Sequence, residues 1–277
     1  MNKIPCSIGI LTLNSGDTLR RCLDSVKDFA EIIICDGNST DNTLDIAREY
    51  GAKIVKQYDS DEPNLRCVKD KANVRQRNMD AASYDWYFFM DSDDALSRGI
   101  IEEIRKIATD PAPPFLVYRM PTRLFLDGKE IKHEASYPSY QTRLINRKIN
   151  PYFKGKIHDR LEFDRKKYNV GELKNFYDFH WPKERVENFW KYQKMYANWE
   201  SDIMEPGGPL WPFIYWCIYR RLRIIAGYLY RIPKMYLLYG FKNSMPPRIQ
   251  LLTLLQHFYI LYLLTKKQIL YVRDKRV

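Results

Sequence analysis

Residues 86–94 read Trp-Tyr-Phe-Phe-Met-Asp-Ser-Asp-Asp. An apolar run of strand length ends abruptly in three carboxylates. Such a run reads as a strand buried on both faces, the habit of a parallel sheet. Ligands of open α/β sheets sit just beyond the carboxyl ends of the strands. Asp91 and Asp93 therefore fall where a ligand binds, close enough to repel each other unless a cation lies between them. A hard divalent cation does this and keeps positions open for substrate phosphates. The alternative is a solvated turn in which an Asp caps a helix starting near Leu96.

The segments before this strand repeat the pattern. Residues 4–13 read as a first buried strand and Asn14-Ser15-Gly16-Asp17 as a turn. Leu19, Leu23 and Val26 share one face of a helix over 18–29. A second strand over 31–35 ends in Asp36-Gly37-Asn38-Ser39-Thr40-Asp41. A helix over 44–50 stops at Gly51, and a third strand covers 52–55. This β-α-β-α-β alternation predicts a parallel, doubly wound sheet. A helix over 73–82 carries Arg75 and Arg77, and another over 99–108 follows the acidic strand. Beyond the break at 110–114, strands are expected over 116–120 and 123–126, with a tight turn at Asp127-Gly128. Shorter strand-like pieces cover 141–145 and 168–173. A helix over 185–200 leads to the linker Glu205-Pro-Gly-Gly-Pro.

The 277 residues suit one large α/β domain with an appendage. The formal net charge is +11, and residues 211–277 account for it with twelve Lys/Arg against one acid, Asp274. That region mixes arginine with Trp, Tyr, Phe, Ile and Leu. Its charges argue against a bilayer span, and its most apolar run, 249–264, is too short for one. Aromatic, basic helices fit the surface of an anionic membrane, and peripheral attachment is the expectation. The alternative is a helical subdomain packed on the sheet. No nucleic-acid motif accompanies the basic residues, so nucleic acid is not expected as a partner. The five cysteines form no C-x-x-C pair; Cys6, Cys22 and Cys35 read as core filler, and the usage suggests a reducing, cytoplasmic setting. No signal peptide is expected.

Four runs together resemble family 2 glycosyltransferases of the GT-A fold: Ser-Ile-Gly-Ile-Leu-Thr-Leu-Asn (7–14), Ile-Cys-Asp-Gly-Asn-Ser-Thr-Asp-Asn-Thr (34–43), Arg-Asn (77–78) and Phe-Met-Asp-Ser-Asp-Asp (89–94). The resemblance implies a Rossmann-like, mostly parallel sheet in a catalytic domain over 1–204, followed by a helical, membrane-associated region over 211–277. By the match, Thr12, Asn14 and Asp36 fall where the nucleoside of a nucleotide-sugar donor is held. A carboxylate there accepts from an imide N–H or from ribose hydroxyls; its alternative is a turn cap. Arg77 either steadies the diphosphate or supports the acidic loop by ion pairing. Asp91 and Asp93 match the D-x-D motif, which binds Mg²⁺ or Mn²⁺ and through it the diphosphate. Asp94 shares that role or caps the next helix.

Residues 152–160, Tyr-Phe-Lys-Gly-Lys-Ile-His-Asp-Arg, resemble the Gly-x-x-His-acid segment of bacterial family 2 enzymes that build lipopolysaccharide core. That subgroup usually carries Glu where this chain has Asp159. The match implies that Asp159 is the general base for an acceptor hydroxyl on a glycan or lipid-linked acceptor. A single base and in-line attack invert the anomeric configuration. Its alternative is a surface pair with Arg160 or Lys156. His180 matches a third metal ligand, with His158 as the rival. The subgroup works peripherally on the inner face of the cytoplasmic membrane, in cell-surface polysaccharide or lipopolysaccharide synthesis. Two other classes stay open: an NDP-sugar nucleotidyltransferase, and a non-enzymatic membrane- or polyanion-binding protein on the same scaffold. The first normally has a Gly-rich, Arg-containing loop after strand one, where this chain has Thr-Leu-Asn-Ser-Gly-Asp.

Overall fold

The structure, a computed structural model, describes residues 2–65, 70–135, 139–155, 159–203 and 213–274. It divides into two compact units, residues 1–125 with 138–180, and residues 126–137 with 181–277.

The first unit is built on a sheet whose order begins β3-β2-β1-β4. These strands are β1 (Ile4–Thr12), β2 (Phe29–Asp36), β3 (Lys53–Lys56) and β4 (Trp86–Asp91). All three pairings are parallel. Helices α1 (Gly16–Val26), α2 (Thr43–Glu49) and α3 (Lys71–Asp80) alternate with them. α4 (Arg98–Thr109) follows the acidic turn and the two-residue β5 (Ala95–Leu96). β1 and β4 are buried on both faces, which explains their unbroken apolar runs. Ile8, Ile10, Phe88 and Met90 pack with Leu19, Leu23 and Ile100, while Ile33, Tyr87 and Phe89 lie in a second cluster with Met79.

The sheet then turns antiparallel. β6 (Val117–Leu126) and β7 (Lys129–Ile131) are followed by β8 (Tyr140–Asn146), which pairs antiparallel with both β4 and β6. β9 (Tyr152–Lys154) and β10 (Arg160–Glu162) form a separate antiparallel pair. β11 (Val170–Glu172) runs parallel to β6, and β12 (Tyr177–Trp181) pairs with β5. The two strands expected over 116–126 are one, continuous through Pro121 with a register irregularity at Tyr118/Arg119. α1 stops three residues before the expected Phe29, because Phe29 is buried and pairs with Ile4 as the first residue of β2. Asp127 and Gly128 have φ of 48° and 75°, as a tight hairpin turn requires.

The second unit contains α5 (Lys183–Glu187), α6 (Phe189–Ile203), α7 (Arg220–Tyr239) and α8 (Pro247–Asp274). α6 packs within this unit: Ala197 is buried with Ile260 and Leu264 of α8, Glu200 pairs with Arg221, and Asp202 pairs with Lys267 at 2.8 Å. The linker at 205–209 lies outside the described residues. Among the described residues no helix is long and apolar enough to cross a membrane.

Candidate active site

Strand register brings the acidic residues to one edge. Thr12 of β1 lies opposite Asp36 of β2, and Leu11 lies opposite Asp91 of β4. The carboxyl ends of β1, β2 and β4 thus form one ledge.

On its first side, Asp36 is 3 % exposed and accepts from Thr12 Oγ1 at 2.6 Å, from Ser39 Oγ at 2.6 Å and from Ser39 N at 2.7 Å. A carboxylate accepts about four hydrogen bonds, so capacity for a ligand hydroxyl or imide remains. Asn14, at φ 49°, ties the neighbouring loops together: its Oδ1 accepts from Thr40 N at 2.9 Å, and its Nδ2 donates to Asn64 Oδ1 at 2.8 Å. Gly37 has no room for a side chain, because a Cβ would sit 2.4 Å from the Leu65 carbonyl oxygen. The backbone of this ledge is therefore closely fitted before any ligand arrives.

On the second side stands the acidic turn. None of its carboxylates caps α4, because Ser97 does so, accepting from Ile100 N. Asp94 is 2 % exposed and accepts from Tyr177 Oη at 2.6 Å. Burial first, then the charges of Asp93 and Asp91, push the Asp94 carboxyl well above the usual carboxylate range. Arg21 donates to the Asp93 carbonyl at 2.6 Å, and Ser92 Oγ meets Ser15 Oγ at 2.8 Å.

Asp91 faces a cluster of cations that sequence reading missed. Arg75 is 1 % exposed. It donates through Nη2 to Asp91, through Nη1 to the Met90 carbonyl at 2.8 Å, and through Nε to Asp159 at 3.2 Å. Lys71 Nζ lies 3.7 Å from Asp91 and 3.5 Å from Asp159. Arg143 Nη2 is 3.9 Å from Asp91. Asp159, from the start of β10, therefore reaches the end of β4. Its pairing is with Arg75 and Lys71, not with Arg160. Burial raises the Asp159 pKa, but Arg75 and Lys71 outweigh it and hold the carboxyl below its ordinary range.

Arg77 is elsewhere. It makes a bidentate pair with Asp59 at 2.7 and 3.0 Å, on the surface. The helix geometry of α3 explains the substitution of one arginine for the other. Arg75 and Asn78 are three apart and share its buried face, whereas Arg77 lies about 100° round from Asn78. Asn78 donates to the carbonyls of Ile10 and Ile33 and accepts from Tyr87 Oη at 2.9 Å, fastening α3 beneath β1 and β2. Lys71 and Arg75 stand one turn apart on α3, a spacing that by itself does not mark them as site residues.

His180 stacks on Phe125, with ring centroids 4.7 Å apart. Burial, then the charge of Arg21, lowers its pKa, with Arg123 adding to the effect and Asp178 opposing it. Arg123 itself is bound bidentately by Asp178 at 2.8 Å. Among the described residues no three His, Cys, Asp or Glu side chains form a group able to hold a metal, so His180 is not gathered with Asp91 and Asp93. The two carboxylates still suit a hard divalent cation, which commonly takes one or two protein carboxylates and completes its shell with substrate phosphates and water. His158, with Lys156, lies outside the described residues. Cys6, Cys22 and Cys35 are buried thiols, as core filler should be.

A sheet of this order, parallel through β4 and antiparallel beyond it, with an acidic turn at the carboxyl edge of its parallel strands, has the architecture of the GT-A class of α/β transferases. Residues 7–163 match the family described as glycosyl transferase family 2, more than half of the chain, and the protein belongs to that family of enzymes. The chain is 26 % identical over 230 residues to an uncharacterised glycosyltransferase of Rickettsia prowazekii, covering 78 % of this chain and 75 % of the relative. It is 28 % identical over 163 residues to the lipopolysaccharide core biosynthesis glycosyltransferase LpsC of Rhizobium meliloti, 57 % of each chain. Among solved structures it is similar to S. aureus TarS 1–349 in complex with UDP, at 16 % identity and TM-score 0.45, over 71 % of this chain and 64 % of that one.

Proposed function

We propose that this family 2 glycosyltransferase is an inverting, divalent-metal-dependent enzyme. It moves a sugar from a nucleotide-sugar donor to a glycan or lipid-linked acceptor in cell-surface polysaccharide or lipopolysaccharide synthesis. The observation that carries this reading is the meeting of Asp91 and Asp159. Side chains far apart in sequence converge on one cavity of about 400 Å³ and share the cations Arg75 and Lys71.

In this reading Asp36 and Thr12 hold the nucleoside, while Asn14 keeps the loops around them in place. Asp91 and Asp93 would hold Mg²⁺ or Mn²⁺, which, when bound, neutralises charge on the departing nucleoside diphosphate. Asp159 accepts the proton of the acceptor hydroxyl as that oxygen bonds to the anomeric carbon and the bond to the diphosphate breaks. Arg75 and Lys71 hold its pKa low, so it is ionised at neutral pH. Attack from the face opposite the leaving group inverts the anomeric centre.

The second unit gives the membrane part of the proposal its support. Residues 211–277 of this unit carry a net +11, and Tyr230 in the middle of α7, Leu237 and Leu238 at its end and Phe241 just beyond it are each more than 60 % exposed. Basic charge beside exposed aromatic and aliphatic groups suits the inner face of an anionic membrane.

The test is a panel of UDP-, GDP-, ADP- and TDP-sugars with purified protein, read as nucleoside diphosphate release. Slow hydrolysis of one donor with Mn²⁺ or Mg²⁺, lost with EDTA, is the expected result. Release that is indifferent to EDTA would remove the metal from the account.

A further inference from the structure

The cavity that holds Asp159 carries more positive charge than its carboxylates use. Arg75 and Lys71 are occupied by Asp91 and Asp159. Three further arginines line the same cavity: Arg143, Arg160 and Arg165. Arg143 is 94 % buried, wedged against the rings of Phe89, Tyr177 and Phe179, and its Nε has no hydrogen-bond partner. Its guanidinium nonetheless adds positive charge to the cavity wall. Arg160 and Arg165 pair with no carboxylate among the described residues, although Arg165 lies over Phe163. Guanidinium groups converge beside the proposed base, and guanidinium is the group best fitted to carboxylates and phosphates.

Resting on the transfer reading above, we infer that the acceptor carries an anionic group, a phosphate monoester or carboxylate, close to the hydroxyl that is glycosylated. Arg160 and Arg165 bind that group from β10 and the turn after Phe163, and Arg143 adds its positive charge from β8. The fork fixes the acceptor so that its hydroxyl meets Asp159. It also rejects neutral sugars, which would leave Arg160 and Arg165 without counter-charge. The donor diphosphate is a separate anion, held at the Asp91–Asp93 turn.

The probe is inorganic phosphate, titrated at constant ionic strength into the full chain already saturated with Mn²⁺ and whichever nucleoside diphosphate of the UDP, GDP, ADP and TDP set binds. Wild type should bind phosphate on top of the nucleotide. Arg160→Gln with Arg165→Gln should weaken phosphate at least tenfold and shift the nucleotide Kd less than threefold. Both arginines are exposed, so the fold should survive, which thermal melting checks. Arg160→Lys with Arg165→Lys should restore part of the affinity. Competition by soluble glucose 6-phosphate supports a glycan-borne group; competition by phosphatidic acid vesicles alone supports a lipid-borne one. Phosphate that is expelled by the nucleotide, or a double variant that loses the nucleotide instead, would assign these arginines to the donor and overturn the inference. No phosphate binding at all overturns it too. Failure of every nucleotide to bind strikes the transfer reading itself, and the inference falls with it.

Discussion

Replacing Arg75 by Met keeps the length of the side chain and removes the charge that links Asp91 to Asp159. Arg75 is 1 % exposed, so no water replaces the lost donor. Removing one partner of a buried ion pair costs about 3–5 kcal/mol. Asp91 is 33 % exposed and Asp159 13 %, so part of the lost pairing is recovered by hydration and by Lys71. That discount puts the loss near 3 kcal/mol, the lower end of the range. The pH dependence follows from Asp159. Its folded pKa is depressed, so its stabilisation is present above the unfolded value of about 4 and is lost as pH falls through the folded value. Proton uptake by the unfolded chain is common to both proteins, so the gap between Arg75→Met and wild type should shrink as pH falls through the folded Asp159 pKa of the variant, which burial raises once Arg75 is gone. Urea unfolding of both proteins from neutral pH into acid is the assay. A loss below about 1 kcal/mol at pH 7 would show that Arg75 is not holding these carboxylates. A gap that widens in acid would contradict the sign.

Asp159→Asn keeps the shape of the site but cannot take a proton, so transfer should fall about 10²–10⁴-fold with nucleotide affinity unchanged; steady-state kinetics with direct nucleotide titration separates the two. Gly9→Ala should lower the urea midpoint sharply, because a Cβ would lie 2.1 Å from Tyr87 Oη and 2.2 Å from Asn78 Oδ1, beneath the sheet. His257 is held neutral, its pKa lowered to about 4 by burial and then by Arg221, whose Nη1 is 2.9 Å away. The unfolded chain therefore takes up a proton first, and stability should fall between about pH 6.5 and 4, by roughly 1–2 kcal/mol after allowing for partial exposure. His257→Gln should flatten that slope in pH-dependent unfolding. Mutating Leu237, Leu238 and Phe241 to Ser should release the protein from phosphatidylglycerol liposomes in a sedimentation assay, without altering donor hydrolysis in solution.

The parallel half of the sheet was legible because its strands are buried on both faces and read as unbroken apolar runs. Their carboxyl ends followed from the β-α-β order, and the register of Thr12 with Asp36 and Leu11 with Asp91 bears this out. The cation cluster was not legible. Lys71 and Arg75 look like ordinary polar positions of a helix until the helix is docked, and the buried face that includes Arg75 is set by Asn78, not by the more familiar Arg77. Arg143 precedes Leu144 and Ile145 in a strand, where nothing in the spacing says it points into a cavity. The packing of α6 was also hidden, because its contact with α8 is long-range and no local signal reports it.

The central claim is that the acidic edge of the sheet holds a nucleoside diphosphate through a divalent cation. The most direct measurement is a calorimetric titration of UDP, GDP, ADP and TDP into wild type and Asp93→Ala, each with Mn²⁺ and with EDTA. One nucleotide should bind wild type tightly only with Mn²⁺, and Asp93→Ala should abolish the metal-dependent part. Equal binding by Asp93→Ala, or tight binding that ignores EDTA, would contradict it.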